Sequence, residues 1–106
     1  MNQEQLRIWT YLNQHAQGYE NRKSSDIIRD ELDIESGGRT NENIRNLIRD
    51  IIINNNCCIG SDTRGYWIIT NEEELRKVVT SLTNRAKEIN ERAQALEKNW
   101  ESRDCI

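Results

Sequence analysis

A chain of 106 residues with net charge −3, 35% apolar and 31% charged residues reads as one globular or helical domain with room for an appendage. No apolar run approaches the roughly 18 residues that a membrane span needs, so no membrane partner is expected. The start MNQEQLRIWT lacks the basic-then-apolar pattern of a secretory leader, which makes the cytoplasm the expected setting.

Cys57 and Cys58 are adjacent, Cys105 is the third cysteine, and His15 is the only histidine. An odd count, no CxxC pair and no second imidazole exclude a disulfide framework and a structural zinc site as expectations. Residues 3–16, QEQLRIWTYLNQHA, place Ile8, Trp9, Leu12 and Ala16 on one helical arc, with Gly18 as a stop. His15 lies at the edge of that arc and reads as a surface or core-edge residue. In SSDIIRDELDI, Ser24 or Ser25 caps a short acidic helix whose apolar side is Ile27, Ile28 and Leu32. Gly37 and Gly38 then break the pattern.

A third helix is predicted over TNENIRNLIRDIIINN, capped by Thr40 or Asn41. Ile44, Leu47, Ile48, Ile51 and Ile52 line its apolar side. Asn41, Glu42, Arg45, Asn46 and Arg49 line the other. Two strands follow, at 57–60 and 66–69, joined by a turn that carries Arg64. Alternation in the second lets Tyr66 and Ile68 face one way and Trp67 and Ile69 the other. Helix, helix, helix, strand, turn, strand is the order of a winged helix-turn-helix domain, expected over residues 1–70.

Residues 71–106 form the expected second part. Thr70 with Glu73 has a capping-box spacing, and apolar residues then recur every seven positions in two interleaved series. Leu75, Leu82, Ile89 and Leu96 make one; Val79, Ala86, Ala93 and Trp100 make the other. Alternating steps of four and three are a coiled-coil seam on a helix about 45 Å long. So narrow a stripe needs a partner, or its own domain, to cover it. These eight residues are the expected dimerisation set, parallel or antiparallel. The fold class is therefore α+β, mostly α: a winged domain followed by a dimeric coiled coil.

The stretch IRNLIRDIIINNNCCIGSDTRGYWIITNEEELRKVVTSLTNRAKEINERAQALEK resembles the small winged-helix proteins of phages and mobile elements in low-GC bacteria. The matching positions are Arg45, Leu47 and Ile48, then Gly65, Tyr66 and Ile68, then Glu73 and Glu74, with a long helix through Leu82 and Leu96. The likeness covers residues 44–98. It implies a recognition helix, a hairpin wing and a long C-terminal helix. Abundant Asn and Ile, whose codons are AT-rich, point to the same kind of source.

The function expected first is a double-stranded DNA-binding transcriptional regulator acting as a homodimer. Arg45, Asn46 and Arg49 would read base edges, where arginine pairs with guanine and asparagine with adenine. Arg39, Thr40 and Asn41 would hold phosphate at the helix start, and Arg64 would touch DNA from the wing. The alternative is a phage-encoded interaction protein that inhibits a host protein. Residues 1–70 favour it: eight Lys or Arg stand against ten Asp or Glu, a net −2, and residues 39–64 reach only +1. No nucleophile–base pair, phosphate loop or metal cluster suggests an enzyme, and no cofactor or metal is expected.

Overall fold

The computed structural model describes residues 1–102. It comprises α1 (Gln3–His15), a 3-10 turn (Tyr19–Asn21), α2 (Ser25–Leu32), α3 (Glu42–Asn54), the strands β1 (Ile59–Asp62) and β2 (Gly65–Ile68), and α4 (Glu72–Ser102). The chain is mostly helical with one antiparallel hairpin, in keeping with α+β. Among the described residues no helix is long and apolar enough to cross a membrane. The chain divides into two compact units, Met1–Leu75 and a second beginning at Arg76.

Local chemistry sets the helix starts. Asn2 accepts from the Gln5 amide at 2.7 Å while the Gln5 side chain accepts from the Asn2 amide at 2.9 Å, a capping box that satisfies two otherwise orphaned donors. Ser24 caps α2 by accepting from the Ile27 amide. At α4 the capping side chain lies one residue later than the spacing of Thr70 and Glu73 suggests. Asn71 Oδ1 accepts from the Glu74 amide at 2.9 Å, and Glu74 Oε1 accepts from the Thr70 amide at 3.2 Å.

The first unit is built on isoleucine. Ile8 and Leu12 of α1 with Ala16 at its C-cap, Ile28 of α2, and Ile44, Ile48 and Ile51 of α3 pack with Ile34, Ile59 and Ile68 in one buried cluster. The positions repeat at four on α1 and at four and three on α3, so each helix presents one side to this core. Full burial of such a side chain stabilises by roughly 1.5–3 kcal/mol. Ile52 belongs to the expected apolar side of α3 but is 38% exposed, because it falls beyond the arc that Ile44, Ile48 and Ile51 define.

The hairpin departs from expectation in its bounds and its connections. It begins at Ile59, not Cys57. Asn56 adopts a left-handed φ of 56°, and Cys57 turns its Sγ toward the Asn55 carbonyl at 3.3 Å. Cys57 is half-buried and Cys58 exposed; burial pushes the Cys57 thiol up from its ordinary pKa. Ile59 pairs with Ile68 and Asp62 with Gly65, leaving Thr63 and Arg64 as a two-residue turn.

β2 is bonded on its other edge as well. Lys23 and Tyr66 exchange two backbone hydrogen bonds at 2.8 Å, the Ile68 amide donates to the Ala16 carbonyl at 2.8 Å, and the Gly18 amide donates to the Ile68 carbonyl at 2.9 Å. The segment between α1 and α2 thus acts as a third, minimal strand. Tyr66 and Ile68 face the isoleucine core. Trp67 covers the other face, where its ring occupies the space a Cβ would need at Gly60 and meets Tyr19 edge-on at 4.9 Å.

Candidate nucleic-acid interface

Arg45, Asn46 and Arg49 fall on one strip of α3, at spacings of three and four, and all three are exposed. Burial of Ile44, Ile48 and Ile51 on the opposite side fixes that orientation. Arg49 makes no ion pair among the described residues, whereas Arg29 on α2 pairs with Asp26 and Asp30. Arg45 donates to Thr40 Oγ1 at 3.1 Å. It also lies near enough to the Tyr66 phenol to oppose the rise that burial causes in that group's pKa. Tyr66 of the hairpin packs against the same buried cluster as Ile44, Ile48 and Ile51 of α3.

At the hairpin tip Arg64 is exposed. The Asp62 side chain organises the turn by accepting from the amides of Arg64 at 2.8 Å and Gly65 at 3.2 Å, a local Asx-type closure. Gly65 has φ of 150°, and a Cβ there would meet the Lys23 carbonyl oxygen at 2.4 Å. Only glycine lets the hairpin approach the segment between α1 and α2 so closely.

The N-terminal end of α3 is arranged otherwise than the sequence suggests. Asn41 caps α3 in position but not with its side chain; it has a left-handed φ of 57° and is 2% exposed. Its amide nitrogen donates to Ser25 Oγ at 3.0 Å and to Asp26 Oδ1 at 2.6 Å, and its oxygen accepts from Arg29 at 3.1 Å. Asn41 thus ties α2 to α3 and has no free group for phosphate. Thr40 is exposed but donates to Glu42 Oε1 at 2.7 Å. That hydrogen bond is the first cause holding the Glu42 carboxyl below its ordinary range. An acid of this chain thus occupies the place where a helix start would receive an anion. Arg39 is exposed in the preceding loop.

Glu42 is one of two residues with a buried side-chain oxygen or nitrogen that lacks a partner among the described residues; the other is Trp67, through Nε1. Two features of the interface escape sequence reading. Lys23 pins the hairpin through its backbone, which residue identity does not encode. Asn41 is held by contacts to residues 12–16 positions earlier in the chain. The sequence signals near the third strand are the adjacent basic pair Arg22 and Lys23 and, on β2, Gly65.

The expected dimerisation residues lie on α4. Leu75 is half-buried. From Val79 onward the stripe is open, rising from 43% exposure at Val79 through Leu82, Ile89 and Leu96 to 69% at Trp100, and Ala86 and Ala93 are exposed. Among the described residues no group of acids, cysteines and histidine forms a metal cluster. No family model, curated protein or solved structure matches the chain.

Proposed function

We propose that this chain is a small winged-helix transcriptional regulator that binds double-stranded DNA as a homodimer. The observation that carries the reading is the exposed strip of Arg45, Asn46 and Arg49 on α3, in a unit where Tyr66 of the hairpin packs against the same buried cluster as Ile44, Ile48 and Ile51 of α3 and where the hairpin is bonded on both edges of β2. One rigid body then offers DNA an exposed helical strip and an exposed turn. Arg45, Asn46 and Arg49 read base edges, and Arg64 touches the backbone or the minor groove. Asn41 serves the scaffold and is left out of the contact set. Arg39 and Thr40 flank the strip, where Glu42 limits what they add to phosphate binding.

The test is titration of an AT-rich duplex pool at low and physiological salt, with an Arg45→Ala/Arg49→Ala/Arg64→Ala variant beside the unaltered chain. Each good arginine–guanine pair is worth about 1–3 kcal/mol, so the variant is expected to lose at least tenfold in affinity while melting at the same temperature. The salt slope should fall with it, since charge neutralisation is removed.

The acidic balance of residues 1–70 and the exposed Asp26, Asp30 and Glu31 on α2 favour a second reading, an inhibitor of a host protein. Absence of duplex binding at low salt would select it, and pull-down on the intact chain would then be the next step.

A further inference from the structure

We infer that a second copy of this chain covers the α4 stripe, and that the two helices run antiparallel with Leu75 of each opposite Trp100 of the other. This deepens the homodimer reading and rests on it. Seam residues in an antiparallel pair meet across series, one from each. A single alignment then sets Leu75 against Trp100, Val79 against Leu96, Leu82 against Ala93, and Ala86 against Ile89, and repeats the set in reverse. All eight seam residues are used, with no overhang. The four central layers each combine an alanine with a branched side chain, so the helices approach closely in the middle and widen equally toward both ends.

A parallel pair has no such match. It sets Ala86 against itself and Ala93 against itself, then Trp100 against itself one heptad later. Interaxial distance ranges over about 8–10 Å with the side chains at the contact, so a straight pair would be close at the alanines and forced apart at the tryptophans. The flanks of the antiparallel pair are also complementary on one side: Arg76 falls beside Glu97 of the second copy, and Thr83 beside Asn90. On the other side Arg85 approaches Arg92 of the second copy, and Glu88, one turn from each on its own helix, supplies the counter-charge. The exposure of the stripe in the single chain, up to 69% at Trp100, is what the second copy removes.

The test uses the full chain with Cys57, Cys58 and Cys105 replaced by serine. Arg76→Cys/Glu97→Cys is expected to form intermolecular disulfides on mild oxidation, whereas Arg92→Cys/Glu97→Cys, which bridges only a parallel pair, is expected to remain uncrosslinked. Within one helix both pairs are too far apart or misdirected to close on themselves. The reverse result overturns the antiparallel alignment and leaves the homodimer standing. A monomer by light scattering at tens of micromolar, or a mass other than two chains, overturns both.

A second check needs no cysteine. Ala86→Leu should overpack its layer against Ile89 and weaken association about tenfold, and adding Ile89→Ala should restore it by exchanging the two sizes. Strengthened association of Ala86→Leu alone would be the parallel outcome.

Discussion

Asn41 illustrates how one polar residue can be committed to a fold at a position where sequence reading assigns it to a ligand. Its three side-chain hydrogen bonds reach Ser25, Asp26 and Arg29, and it is buried among them. Removing it leaves these partners short and places a Cβ-only residue in the left-handed region. Asn41→Ala is expected to cost roughly 2–4 kcal/mol, read as a lower urea midpoint with an unchanged slope. Asn41→Gly should recover only the part due to φ, which separates backbone strain from the lost hydrogen bonds. Arg45 and Arg49 behave oppositely. Their exposure leaves them little share in stability, so their replacement should act on binding alone.

At the scale of elements, periodicity carried most of the information. The three-and-four spacing of isoleucines and leucines located α1, α2 and α3 within a few residues, and the same spacing explains why Arg45, Asn46 and Arg49 share an exposed strip. Alternation separated Tyr66 and Ile68 from Trp67 and Ile69, and the structure puts Tyr66 and Ile68 on the core side. What periodicity could not show was pairing through the backbone. Lys23, Gly18 and Ala16 bond to β2 through amides and carbonyls, groups that every residue has, so no pattern of side chains announces them. The long α2–α3 connection was opaque for a related reason: Ile34 is buried and Asn41 is tied to α2 by contacts distant in sequence. Gly65 is the visible trace of the third strand. Gly65→Ala, driven into the Lys23 carbonyl at a positive φ, is expected to cost about 1–3 kcal/mol. Thermal melts should show the loss, and amide exchange at Tyr66 and Lys23 should accelerate first.

At the scale of the whole molecule, α4 is long for an isolated helix and carries its apolar residues in the open. Helices gain most of their stability from packing an apolar side, so its helicity is expected to depend on association. Dilution through the dimer constant should lower the far-ultraviolet helical signal and the melting temperature together; a signal independent of concentration would mean that α4 stands without a partner. In the antiparallel pair the two Leu75 residues are separated by about 38 Å along the coil.

The double bonding of β2 bears on the cost of recognition. A hairpin free on its outer edge would sample many orientations, and any partner would have to suppress them. Here only Thr63 and Arg64 project past the last paired residues, and Asp62 already restrains the second of them. If the hairpin docks as proposed, it would immobilise little more than one arginine side chain, about 0.5–1.5 kcal/mol of lost rotamer freedom, with its orientation set before contact.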